Sequence, residues 1–159
     1  MHKIKIKPLI FWTLSAIAVG ALSGVLTMRA MDRYGEINQP PLSPPGWLFP
    51  IVWTALFLLM GVSAYIVWTK EGTGESERNE AIIFYCLQLV VNFFWPIVFF
   101  NEEAYLFALG WIILLDVLVI VMISRFRAIS RAAARLNLPY LVWLLFATYL
   151  NAGVWWLNR

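Results

Sequence analysis

Five stretches of this chain are each apolar for about the 20 residues that a helix needs to cross a hydrocarbon core. They run from about Pro8 to Met28, Trp47 to Thr69, Ala81 to Phe100, Tyr105 to Ile123 and Leu138 to Leu157. Backbone N–H and C=O groups meet no water inside lipid, so each stretch is predicted to be a helix. The segments between them are polar: Asp32–Gly46 is rich in Pro and Gly, Lys70–Glu80 reads KEGTGESERNE, Asn101–Ala104 reads NEEA, and Arg125–Arg135 is basic. A water-soluble fold is excluded, because 62% of the residues are hydrophobic and 13% charged. A chain of this length leaves too much of its surface exposed to hide that much apolar area. The expected fold is an all-α integral membrane protein, a single domain over residues 1–159 built as a bundle of five transmembrane helices.

Several function classes fall away at once. Cys86 is the only cysteine and His2 the only histidine, so neither an intrachain disulfide nor a Cys/His metal cluster is expected. The basic residues sit at chain ends and turns, which gives no nucleic-acid surface. Their distribution sets orientation instead. Lys3, Lys5, Lys7, Lys70, Arg78, Arg125, Arg127, Arg131 and Arg135 share one side, against Arg29, Arg33 and Arg159 on the other. That bias predicts a cytoplasmic amino terminus and a carboxyl terminus outside. The first span follows a basic start, but its apolar run exceeds the roughly 7–15 residues of a signal-peptide core, so it is expected to stay as a helix.

A charge inside a span faces the bundle interior by default. Asp116 is the one ionisable residue well inside, roughly 16 Å along the fourth span from Tyr105. It suits a pocket wall or a hydrogen-bonded tie between helices equally well. Gln88, Asn92 and Trp95 share a face of the third span, and Tyr140, Trp143, Ala147 and Asn151 a face of the fifth. The second span offers Trp53, Phe57, Met60 and Ala64. Mostly aromatic faces with a few polar groups are what a ligand cavity between helices requires, although ordinary helix packing uses the same residue types. Ala16, Gly20 and Gly24 form a small-residue ladder on the first span, read as a site of close backbone approach within the bundle or across a dimer.

Nine tryptophans need an explanation. Trp12, Trp47, Trp68, Trp155 and Trp156 lie near span ends, where aromatic side chains anchor at the membrane interface. Trp53, Trp95 and Trp143 lie deeper, with Trp111 ambiguous. A buried indole brings a partner for its N–H and offers a stacking face to a flat ligand, so the deep three are the candidates.

The run QPPLSPPGWLFPIVWTALFLLMGVSAYIVW from Gln39, QLVVNFFWPIVFF from Gln88 and LPYLVWLLFATYLNAGVWWLN from Leu138 together resemble the TspO/MBR family of tryptophan-rich sensory and translocator proteins, over essentially the whole chain. The resemblance implies a five-helix bundle, often a homodimer, in a bacterial cell membrane, with a pocket below the loop between the first two spans. It implies porphyrin or haem as ligand, with no obligatory cofactor. Some bacterial members degrade porphyrin in light through two pocket tryptophans, which match Trp53 and Trp143 by motif position. The family's pocket Asn matches Asn92 and its fourth-helix Asp matches Asp116. Ala147 stands at a small position that controls ligand binding, Tyr34 matches a loop tyrosine, and Pro44 and Pro45 match the loop's proline pair. Phe57, Gln88, Trp95 and Asn151 complete the expected site.

The chain departs from the family in its loop, where Arg33-Tyr34 replaces Trp-Tyr and Gln39–Pro45 lacks a lysine and an aromatic. Ala152 and Trp156 replace the Tyr and Arg of the animal cholesterol motif, so no cholesterol recognition is expected there. A porphyrin's propionates are expected beside Arg29 or Arg33. The absence of an acid–base or metal constellation favours binding over catalysis. The alternatives are a carrier for porphyrins or other amphipathic metabolites, disfavoured by the lack of an internal repeat, and a partner-dependent stress regulator.

Overall fold

The computed structural model describes residues 4–159; Lys3 and His2, both used in the reading above, lie outside the described residues. The helices are α1 Ile6–Asp32, α2 Leu48–Thr69, α3 Glu75–Pro96, α4 Tyr105–Ile129, α5 Arg131–Leu136 and α6 Leu138–Leu157. Among the described residues there is no strand, and five helical segments are long and apolar enough to cross a membrane. The chain is an all-α membrane protein, as its hydropathy predicts.

The helices outrun the apolar stretches, and each extension has a local cause. The first continues past Met28 to Asp32 and then tightens into a 3-10 turn over Arg33–Glu36. The third begins at Glu75 rather than Ala81, with Glu75 and Glu77 in its first turn, where carboxylates interact favourably with the positive end of the helix. The fourth runs to Ile129 rather than Ile123, because Met122 and Phe126 continue its buried face while Arg125 and Arg127 occupy the outer one. An ion pair of 3.0 Å between Arg125 and Glu80 joins the two extensions. The basic Arg125–Arg135 segment is therefore helical except at Ser130, whose hydroxyl caps α5 by accepting from the Ala133 amide at 3.3 Å.

Pro96 closes α3. It has no N–H to give the preceding turn, and the chain widens into a π-helical turn over Ile97–Asn101 before α4.

The helices follow one another around the bundle in the order α2, α1, α3, α4, α6. The ring closes between α6 and α2 through large aromatic pairs rather than close backbone approach: Trp53 against Tyr140 at 6.2 Å and Phe49 against Trp143 at 6.0 Å. In contrast, α1 and α2 cross tightly at Gly61. A Cβ there would lie 2.5 Å from the Thr13 Cα and 2.8 Å from the Trp12 carbonyl. Helices in lipid associate through such packing and through hydrogen bonds, since lipid supplies no hydrophobic drive between them. From this crossing the two helices splay toward the connecting loop. Phe57 fills the first gap against Gly20, and beyond it Gly24 faces open space. Of the Ala16-Gly20-Gly24 ladder, Ala16 is fully buried and Gly20 packs against Phe57, while Gly24 stays exposed.

The tryptophans sort largely by position along the helices. Trp47, Trp68 and Trp156 are exposed, as interface anchors should be. Trp12 departs from that reading: it is buried, edge-on to Tyr85 and against Trp68, because α1 starts before the crossing and turns this face inward. Trp111 gives its indole N–H to the Val91 carbonyl at 2.8 Å, tying α4 to α3.

Candidate functional site

The splay of α1 from α2 leaves a cavity of about 990 Å³ beneath the α1–α2 loop, at the upper end of the ~300–1,000 Å³ usual for small-molecule sites. Its inner wall is aromatic. Trp53 and Phe57 come from α2, Phe49 from the turn before them, Trp95 from α3, and Phe100 from the π-helical turn. Several lining residues of α1 and α2 remain exposed, among them Gly24, Val25, Met28, Pro50 and Thr54. The cavity therefore opens sideways between these two helices, the flank that would face lipid.

The loop roofs it. Tyr34, Pro44 and Pro45 line the cavity with Gln39 and Ser43, and the buried Tyr34 ring sits edge-on to Phe49 and Phe100. The loop is anchored to α6 on the far side. Tyr149 donates to the Pro41 carbonyl at 2.9 Å, Asn158 exchanges two hydrogen bonds with the Asn38 backbone, and Pro40 presses on Gly153 so closely that a Cβ there would lie 2.5 Å away. A turn closes from the Ser43 amide to the Pro40 carbonyl, with Leu42 held at a φ of 68° and exposed.

Polar side chains under the wall form two networks. Asn92, on the wall, donates to the Tyr140 hydroxyl at 2.8 Å, which donates in turn to Gln88 Oε1 at 2.8 Å. Gln88 is fully buried one turn below Asn92 and does not reach the cavity. Trp95 donates to Asn151 Oδ1 at 3.1 Å, and Asn151 donates to the Tyr105 carbonyl at 2.8 Å. Both networks hold a wall residue of α3 against α6, so the wall is fixed by side chains that never touch its contents.

Seven of the twelve expected site residues line the cavity: Tyr34, Pro44, Pro45, Trp53, Phe57, Asn92 and Trp95. Gln88 and Asn151 stand behind them as described. Asp116 accepts a hydrogen bond of 2.8 Å from Thr148 and ties α4 to α6 away from the wall. Ala147 is buried in the packing of α6. Trp143 is one ring behind the wall, edge-on to Phe49. Its indole N–H is buried without a hydrogen-bond partner, so the expectation of a partner for each deep indole does not hold there.

The structure adds residues that the sequence did not assign to the site. Gly20, Ser23, Gly24, Thr27 and Asp32 place a long stripe of α1 on the cavity. The small-residue ladder was the available signal: it marks where a backbone comes close to something, and here part of that something is the cavity. The cations expected beside a ligand are absent from the wall. Arg33 turns to Glu103 at 3.3 Å, Arg29 is exposed on α1, and Asp32 takes the position at the mouth.

Comparison with known proteins agrees with this architecture. The model of the TspO/MBR family matches residues 11–157. The chain is 36% identical over 145 residues to a tryptophan-rich protein TspO of Chlorobaculum tepidum, covering 89% of this chain and 90% of that one. It is 38% identical over 146 residues to a tryptophan-rich protein TspO of Archaeoglobus fulgidus, covering 91% and 93%. The human translocator protein is 34% identical over 122 residues, covering 77% of this chain and 72% of its own. With five membrane-length helices and a family match across nearly its whole length, the chain belongs to the TspO/MBR family.

Proposed function

We propose that this protein is a membrane receptor for tetrapyrroles such as protoporphyrin IX and haem, and for similar flat hydrophobic molecules, held under the α1–α2 loop. The observation that carries the reading is the cavity of about 990 Å³ walled by Trp53, Trp95, Phe49, Phe57 and Phe100 with Asn92 as its fixed polar group. Such a wall offers ring faces to a flat π-system, and one amide whose direction is set by Tyr140. The sideways opening suits a ligand that partitions into the bilayer before it binds. The end bearing Lys5, Lys7, Arg78 and Arg125 faces the cytoplasm in this reading, by the bias of positive charge.

A light-dependent degradation of the bound porphyrin, with dissolved dioxygen as the oxidant, is a second activity that the same wall supports. Trp53 is on the wall, and its indole can give an electron to a photoexcited macrocycle. Trp143 is one ring further out, behind Phe49. The test is a titration of the purified protein with protoporphyrin in the dark, followed by tryptophan quenching, and then illumination with the porphyrin absorbance recorded. Saturable quenching supports the receptor; its absence removes it. Porphyrin loss that slows in Trp53→Phe supports the photochemistry, and loss at the unchanged rate removes it.

A further inference from the structure

The charge at the cavity mouth narrows the ligand class beyond flat and hydrophobic. Among the described residues, Asp32 is the only one lining the cavity with a formal charge. It sits exposed at the last position of α1 and takes part in no ion pair, the two pairs among the described residues being Arg33 with Glu103 and Arg125 with Glu80. Arg29 is one turn earlier on the same helix but does not line the cavity.

The neutral donors of the wall do not replace a cation. Gln39 gives its amide to the Tyr34 carbonyl, Ser43 its hydroxyl to the Pro40 carbonyl at 2.8 Å, and Ser23 its hydroxyl to the Phe93 carbonyl at 2.9 Å. Thr27 bonds the Ser23 carbonyl at 2.9 Å and Thr54 the Pro50 carbonyl at 2.7 Å. A carboxylate entering this mouth meets a like charge, and the amide and hydroxyls just named already have acceptors, which leaves it the Tyr34 hydroxyl and the Trp47 and Trp53 indoles as neutral donors. Asp32 is exposed, so the scale that applies is that of water, where two like unit charges about 4 Å apart repel by about 1 kcal/mol.

We infer that Asp32 makes this cavity select flat amphiphiles that are neutral or cationic at the mouth, and that it ranks carboxylate-bearing ring systems below them. The inference rests on the receptor reading above and names the ligand class of the same site. A dicarboxylic macrocycle is accepted with its carboxylates held outside, whereas the esterified or amine-bearing equivalent seats without that constraint.

The experiment compares protoporphyrin with its dimethyl ester, which share one ring and differ in charge. Both are titrated by tryptophan quenching into the full chain in an uncharged detergent, for the wild type and Asp32→Asn. Partition into the micelle differs between the two porphyrins but not between the two proteins, so the readout is the change in the diacid-to-ester affinity ratio. The expected result is a ratio that shifts toward the diacid by roughly fivefold in Asp32→Asn, the size of one like-charge contact at the mouth. Added salt should narrow the gap in the wild type and leave it alone in the variant. An unchanged ratio with both ligands saturable overturns the role of Asp32 and leaves the receptor standing. If neither porphyrin binds saturably, the receptor reading and this inference fall together.

Discussion

Removing the Tyr140 hydroxyl tests how the cavity wall is held. In Tyr140→Phe the ring keeps its contact with Trp53 at 6.2 Å, so the perturbation is confined to the hydrogen bonds. Two partners lose Tyr140. Asn92 Nδ2 loses an acceptor at 2.8 Å, but it stands on the cavity wall, where water or ligand can replace it. Gln88 Oε1 loses a donor at 2.8 Å and is fully buried, so nothing replaces that bond. One stranded buried acceptor costs about 1–3 kcal/mol in a dry protein interior. Hydrogen bonds between membrane helices contribute about 0.6 kcal/mol on average and up to about 1.7. The expected loss is therefore about 1–1.5 kcal/mol, between those two scales. Unfolding in mixed micelles of increasing dodecyl sulfate, followed by circular dichroism, measures it. Gln88→Met removes the other end of the same bond, so the double variant should cost less than the sum of the singles by about 1 kcal/mol. Additive losses, or a Tyr140→Phe variant within about 0.3 kcal/mol of wild type, would refute the claim that this bond fixes α6 against α3.

Three further substitutions probe the backbone geometry. Gly61→Ala should destabilise the bundle by about 1–3 kcal/mol, because its Cβ meets the α1 backbone rather than a movable side chain. Gly110→Ala, with nothing within 4 Å of the added carbon, should instead gain up to about 1 kcal/mol of helix propensity; equal effects in the same unfolding assay would contradict the crossing. Leu42→Gly should stabilise the loop by up to about 1 kcal/mol, since the left-handed conformation at φ 68° costs a side-chain-bearing residue roughly 1–2 kcal/mol and glycine's extra freedom returns part of that. A fall in melting temperature would mean that the Leu42 side chain has a contact of its own.

The spans were legible in the sequence because lipid imposes a length and a composition on them. Their true ends were not, because hydropathy reports where lipid stops rather than where the helix stops. Phe126 and the polar Glu75–Glu80 turns carry helix well past the apolar runs. Faces were legible and depth was not. Gln88, Asn92 and Trp95 do share a face, yet Gln88 lies one turn below the cavity floor and serves it only through Tyr140. On α6, Trp143 stands about 60° around the helix from Tyr140 at 3.6 residues per turn, enough to place it behind Phe49. Asp116 was open between a pocket and a tie, and Thr148 on the facing helix makes it a tie. Asp32 was hidden because it falls just beyond the apolar run of the first span, in what the sequence presents as loop.

The central claim is that the space between the splayed α1 and α2 is a ligand site, and Gly24→Trp tests it most directly. A Cβ at Gly24 has nothing within 4 Å and Gly24 lines the cavity, so an indole introduced there is expected to take up space at its opening. The measurement is the dark titration of wild type and Gly24→Trp with protoporphyrin dimethyl ester, alongside their melting temperatures. The account predicts saturable binding by the wild type, and a loss of at least about tenfold in affinity, some 1.4 kcal/mol, in a variant that melts as the wild type does. Binding of undiminished affinity by the filled variant would contradict it.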